Sequence, residues 1–354
     1  MQMSKWMLGA SLLLALTAWA TNGCSSSNRD ATSSTAEDDE ESNLQGEVGI
    51  DGSSTVQPLS TAAVEGFLAI HPHVNMPVGT SGTGGGFKKF VKGELDISNA
   101  SRPISAEEFA QCKANGVEFL ELPVAYDGLT IVVNPKNDFV NELTVEQIGQ
   151  IYLEDKAVKS WKDLNPAWPD EAIKPFSPGT DSGTFDYFRE VLGGKKVSIR
   201  SDMQTNEDDN VLVQGVESDK GAVAYFGAAY AFGAGDRLKI VPIVNPQTNT
   251  AVKPSEQTVV SGEYAPYSRP LFIYVNLKSF ARPEVKLFVE HYLEHASDYA
   301  RRVGYFPLPD SVLKTAQTHI QQGKPGTSFI TADGKMREGA FIDLFQSDNL
   351  VTTK

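Results

Sequence analysis

Two hydrophobic periods alternate along this chain. Short apolar runs of extended character fall at 48–50, 73–78, 95–100, 117–123, 129–133, 173–176, 239–242 and 271–275. Between them, apolar residues recur every three or four positions. That spacing predicts helices over 56–70, 85–92, 105–114, 144–152, 183–192, 209–218 and 283–302. The last is the clearest: Val285, Phe288, Val289, Tyr292, Leu293 and Ala296 share one face, with Glu, Lys and His opposite. Strands alternating with helices give an α/β fold, with a mainly parallel sheet covered by helices on both sides. Two runs, Thr130-Ile131-Val132-Val133-Asn134 and Phe272-Ile273-Tyr274-Val275-Asn276, end alike and bracket the middle of the chain. They read as two crossing hinge strands between lobes. Residues 47–132 with 271–354 then form lobe 1, and 133–270 form an inserted lobe 2. Ligands of open α/β sheets bind at the carboxyl ends of strands, so the ligand belongs in the interlobe cleft, with closure as a hinge motion.

Residues 1–23 carry one positive charge, Lys5, ahead of Leu12-Leu13-Leu14-Ala15-Leu16 and then small residues. This is a secretory signal peptide, too short to span a membrane. Two cleavage readings compete. Ala18-Trp19-Ala20 fits ordinary processing, whereas Gly23-Cys24 before Ser25-Ser26-Ser27 looks like a lipoprotein junction that leaves Cys24 lipidated. Residues 24–46 are polar and acidic, with the block Glu37-Asp38-Asp39-Glu40-Glu41, and hold too little apolar surface to fold. They read as a disordered tether from a membrane anchor.

The net charge is −14 over 354 residues. An acidic surface argues against nucleic acid and anionic membranes as partners. Any bound anion is then captured by local geometry and not by the overall field. Only Cys24 and Cys112 are present, so there is no disulfide framework and no zinc spacing. Cys112 reads as a half-buried free thiol. His291 and His295 stand one turn apart without further ligands and read as a solvated helix face, so no metal and no cofactor is expected.

Three Ser/Thr/Gly clusters open predicted helices. They are Gly52-Ser53-Ser54-Thr55-Val56, Thr80-Ser81-Gly82-Thr83-Gly84-Gly85-Gly86-Phe87 and Ser177-Pro178-Gly179-Thr180-Asp181-Ser182-Gly183-Thr184. Asp181 or Ser182 is the expected N-cap of the third helix. A helix start offers free N–H donors and a positive dipole end, and hydroxyls add to both. Convergence of the three would bind one small dehydrated oxyanion.

These turns, with Asn99-Ala100-Ser101-Arg102-Pro103-Ile104, Ile148-Gly149-Gln150-Ile151-Tyr152 and Gly221-Ala222-Val223-Ala224-Tyr225, resemble the periplasmic phosphate-binding protein of Pst-type ABC transporters. The likeness covers nearly the whole mature chain. It implies a two-lobe periplasmic binding protein type II fold, capture of inorganic phosphate, delivery to inner-membrane ABC permease subunits, a monomer, and no catalysis. Carried over by position, it implies contacts from Ser54 and Thr55, from Ser81, Thr83 and Gly84, and from Ser182, Gly183 and Thr184. The chain departs from the pattern at Ser101, where many members have an acidic residue, and at Pro178, where many have arginine. Arg102 is the expected substitute cation, suited to phosphate by its planar fork. Asp127 is the first candidate to accept the phosphate proton and Asp181 the second.

Two rivals are weaker. A phosphatase would need a base, and no histidine lies near the turns; Gly79-Thr80-Ser81-Gly82-Thr83 lacks the last glycine of the nucleophile elbow, and no P-loop is present. A binding protein for sulfate, molybdate or tungstate would share the fold and differ in which oxyanion it takes.

Overall fold

The computed structural model describes residues 44–353 apart from 181, 195, 196 and 207. The leader, Cys24, nearly all of the tether and Asp181 lie outside the described residues. Leu44 packs on the core, and Gly46–Glu47 pairs in parallel with Val74–Asn75.

One sheet runs through the molecule. Its strands are β1 (Ile50–Gly52), β2 (Ile97–Ala100), β3 (Phe119–Val133), β4 (Lys174–Pro178), β5 (Gln204–Asn206), β6 (Ala222–Gly227), β7 (Lys239–Val241) and β8 (Ser268–Asn276). The order is β1-β2-β8-β3-β6-β4-β5, with β7 also paired to β3. The sheet is mixed, which corrects the expectation of a mainly parallel one. β1/β2, β4/β6 and β4/β5 are parallel, whereas β8 opposes β2 and β3, and β3 opposes β6 and β7. The reason is topological: the chain leaves one lobe along β3 and returns along β8, so the strands linking the lobes run in opposite directions.

The runs 117–123 and 129–133 belong to a single strand of 15 residues, buried throughout. Gly128 does not break it. A Cβ there would stand 3.1 Å from both Phe306 and Val259, so the glycine permits close approach by two other segments. The crossing also shifts from its expected place. Residues 272–276 pair with 119–123, and 129–133 pair with β6. Residues 125–128 lie opposite 268–271, with Asp127 facing Arg269 in register.

The helices that matter for the site are α1 (Gln57–Leu68), α2 (Thr83–Phe90), α3 (Ala106–Asn115), α4 (Val145–Tyr152), α5 (Gly183–Gly193) and α6 (Asp209–Ser218). Capping boxes at Ser105/Glu108 and Thr144/Gln147 start α3 and α4. The helix expected over 283–302 breaks at His295 into α7 (Pro283–Glu294) and α8 (Ala296–Arg302). His291 is half-buried, not solvated: its Nε2 lies 2.7 Å from the Tyr299 hydroxyl, and its ring packs on Phe67. No cluster of potential metal ligands exists among the described residues. Cys112 is fully buried on α3, and burial pushes its thiol up to about 12, so it is inert as a nucleophile. Aromatic rings fill both lobes, with Phe87, Phe119 and Tyr274 at one end and Phe188 stacked on Tyr225 at the other. No described helix is long and apolar enough to cross a membrane.

Candidate functional site

β1 ends at Gly52, whose φ of +137° and close approach to Asn99 O admit no side chain. The chain then turns through Ser53, Ser54 and Thr55 into α1. Ser53 N donates to Asn99 O at 2.9 Å, fixing this turn to β2. The second turn is tied to the first through Asp51, which accepts from Gly52 N, Ser81 N and Lys89. Burial would raise the Asp51 carboxyl, but Lys89 and the two backbone donors outweigh it and hold the group below its ordinary range. Gly82 N donates to Gly52 O at 2.7 Å, and Thr83 opens α2 with its hydroxyl 3.0 Å from that of Ser101. Neither α1 nor α2 has a side-chain cap; α2 starts with its first N–H groups uncapped, whereas in α1 Gln57 N already donates to Ser53 O and Pro58 has no N–H to offer.

The third turn comes from the other lobe. Ser182 caps α5 by accepting from Thr184 N at 3.2 Å. Gly183 lies directly against the first turn: Thr55 Oγ1 reaches Gly183 O at 3.4 Å, and a Cβ on Gly183 would stand 3.0 Å from Thr55 Cα. One turn along α5, Asp186, Tyr187 and Glu190 face the same space.

The cationic residue in the lining of the space between these turns is Arg269, on β8. Its Nη2 donates to Thr55 Oγ1 at 2.8 Å, and Nε and Nη2 both lie 3.3 Å from Asp127 Oδ2. Nη1 lies 3.2 Å from Glu190 Oε2, and the guanidinium carbon stacks 3.5 Å from the Tyr187 ring centroid. Arg269 therefore touches lobe 1, the crossing and lobe 2 at once. Burial raises the Asp127 carboxyl, and the charge and hydrogen bonds of Arg269 oppose that rise. The enclosed space left among Ser53, Ser54, Thr55, Thr83, Ser101 and Arg269 is about 20 Å³, room for about one water-sized body.

The expected residues divide as follows. Ser54, Thr55 and Thr83 line this cavity. Ser182, Gly183 and Thr184 do not line the cavity, although Gly183 touches Thr55, which does. Ser81 and Gly84 belong to the second turn but do not line the cavity. Asp127 sits behind Arg269 and is bonded to it. Asp181 is outside the described residues. Arg102 does not line the cavity; its fork pairs with Glu108 through two bonds of 2.8 Å. That carboxylate is also the capping-box partner of Ser105, so α3 holds Arg102 in place. Arg269, Asp186, Tyr187, Glu190 and Ser101 were not found as site residues by sequence reasoning. Helical spacing from Gly183 could have flagged Tyr187, four residues on. Arg269 carries no local signal, because only the β3–β8 register brings it to the cleft.

Residues 33–294 match the PBP superfamily domain. The chain is 42% identical over 302 residues to the protein SphX of Synechococcus elongatus, covering 85% of this chain and 88% of that one. It is 40% identical over 272 residues to the phosphate-binding protein PstS of Staphylococcus haemolyticus, covering 77% and 84%. Among solved structures, one described as a possible phosphate binding protein from Planctomyces limnophilus superposes with a TM-score of 0.77 at 45% identity, covering 80% of this chain and 100% of that one. The matched span includes all three hydroxyl-rich turns and both crossing strands. The chain thus belongs to the PBP superfamily and, within it, to the family of PstS and SphX.

Proposed function

We propose that this protein is an extracytoplasmic solute-binding protein that captures inorganic phosphate between its lobes and delivers it to the permease of an ABC importer. The observation that carries the proposal is the meeting of Thr55, Thr83 and Ser101 hydroxyls with the Arg269 fork in one buried cleft closed by α5. A tetrahedral oxyanion entering there replaces the direct contacts of Thr55 with Arg269 and Gly183. Ser54, Thr55 and Thr83 donate from lobe 1, and the N-terminal turn of α5 at Ser182, Gly183 and Thr184 donates from lobe 2. The lobes, near 47–132 with 271–354 and 133–270, rotate about the crossing at 125–128 and 268–271.

Micromolar affinity requires about 8 kcal/mol. Helix dipoles supply about 0.3–1 kcal/mol each, so charge-assisted hydrogen bonds of about 1.5–3 kcal/mol each must supply most of the total. Arg269 is the strongest single donor available. The local charge is nevertheless not strongly positive, since Asp127, Glu190 and Asp186 surround it. Such a site disfavours a fully ionised oxyanion and accepts one that still carries a proton to donate. Asp127 is occupied by Arg269, so Glu190 and Asp186, which line the cavity, are better placed to take that proton. The protein works as a monomer without catalysis, held at the membrane by lipid on Cys24 and the acidic tether.

Calorimetric titration of chain stripped of ligand by unfolding and refolding tests this. Tight one-to-one phosphate binding with no sulfate heat is expected. Sulfate binding of equal strength would make the protein a general oxyanion binder, and silence from phosphate would sink the proposal.

A further inference from the structure

We propose that the opposite face of the crossing strands carries a second binding site, for a compact amphipathic anion. Successive side chains of a strand point to opposite faces. Asp127 and Arg269 serve the cleft, while their neighbours Tyr126, Ser268 and Pro270 line a cavity of about 470 Å³ on the other side. That volume lies within the roughly 300–1,000 Å³ typical of small-molecule sites. The other walls include Val259 and Ser261 from the inserted segment and Phe341 from the C-terminal segment.

The polar chemistry of this cavity is incomplete. Arg337 is the one charged residue in its lining. Among the described residues it makes no ion pair: Nη2 reaches only Asn349 O at 3.3 Å, and its buried Nε has no partner. Tyr126 is 2% exposed, and its hydroxyl also lacks a partner among the described residues. Its ring packs edge-on against Phe341 at 5.4 Å. Buried donors without acceptors are costly. A carboxylate or sulfonate head answers the guanidinium of Arg337, the one charged group in the lining, and the apolar and aromatic walls take the body attached to it.

The location gives such a ligand a consequence, which rests on the hinge reading above. A hinge at the crossing that opens the front cleft narrows the cavity behind it. An occupant of the back cavity therefore favours the closed form and strengthens phosphate binding, and phosphate strengthens the occupant's binding by the same factor.

Anilinonaphthalene sulfonate, an apolar anion that fluoresces when desolvated, serves as the probe on the intact folded protein. One saturable site is expected. Ser261→Trp fills the cavity from a position with ordinary helical backbone, and Arg337→Gln removes the cation. Each should weaken the probe about tenfold or more, while continued phosphate binding reports that each variant is folded. In calorimetry, saturating probe should raise phosphate affinity severalfold in the wild type and leave it unaltered in Ser261→Trp. Fluorescence that never saturates, or that is equal in all three proteins, overturns the site. Phosphate affinity identical with and without bound probe overturns the coupling. Failure of the wild type to bind phosphate would count against the function proposed above and leave the fluorescence arms readable.

Discussion

Arg269 meets a hydroxyl, two carboxylates and an aromatic face, whereas Arg102 meets Glu108 at the surface. The two should respond differently to truncation. Arg269→Ala removes a desolvated charged donor, a change that costs roughly 2–5 kcal/mol, so phosphate affinity should fall several-hundred-fold. It also strands buried Asp127, so the melting temperature should drop as well. Arg102→Ala loses an exposed pair worth about 0–1 kcal/mol and should change affinity less than about fivefold. Calorimetry on both variants checks this, and the reverse ranking would return Arg102 to the site. A second residue-scale effect concerns Glu121, which is buried, has no ion pair among the described residues, and accepts from Thr327, Tyr274 and Ser328 N. Burial pushes its carboxyl from 4.5 up to about 7 against the pull of those bonds. Between those values the folded state holds a proton that the unfolded state has released. This contribution is therefore full below about 4.5, falls by about 3 kcal/mol as pH rises, and is gone above about 7. Glu121→Gln should lack that slope, so the melting temperatures of variant and wild type should diverge across the window and run parallel above it.

At the scale of elements, α5 is the part of lobe 2 that closes the site. Its first residue is Gly183, with Thr55 Cα 3.0 Å from where a Cβ would be. Gly183→Ala therefore separates two properties. Alanine is the better helix former, by about 1 kcal/mol within a helix, so the lobe itself should not be weakened. The added methyl meets backbone of the facing lobe, so full closure should be blocked and phosphate affinity should fall at least about tenfold, the equivalent of roughly 1.4 kcal/mol. A thermal melt without ligand and a phosphate titration measure the two effects. Equal losses in both would mean that Gly183 is needed for folding and not for closure. Ser182→Ala removes the cap on Thr184 N and should cost about 1 kcal/mol of stability.

For the whole molecule, ligand binding and stability are linked, because phosphate would bridge two lobes that one sheet joins. A ligand at a thousand times its Kd adds about 4 kcal/mol to the folded state. Phosphate should therefore raise the melting temperature clearly, with little effect from sulfate at the same concentration. Solution scattering should show the protein contract on adding phosphate, since the proposed closure would move two bodies about the paired segments 125–128 and 268–271. An unchanged scattering profile would argue for a site that forms without hinge motion.

Local patterns settled much of this in advance. The helices that begin near residues 106, 145, 183 and 209 follow from apolar spacing and from side-chain caps at their starts, and the one near 57 from spacing and Pro58 in its first turn. The three hydroxyl-rich turns are legible for the same reason, since a turn and a helix start are set by neighbours in sequence. Strand partners are not. The chain contains no short-range signal that 119–133 is one strand, that Gly128 lies within it, or that β6 belongs beside it. Arg269 and Asp127 are 142 residues apart and acquire their meaning only from the register between β3 and β8. Arg102 stands beside a recognisable motif, yet a carboxylate six residues on captures it first. The sequence by itself determined which segments present donors to an anion; which cation and which carboxylates face it was decided by tertiary structure, because a one-residue change of strand register turns every side chain to the other face.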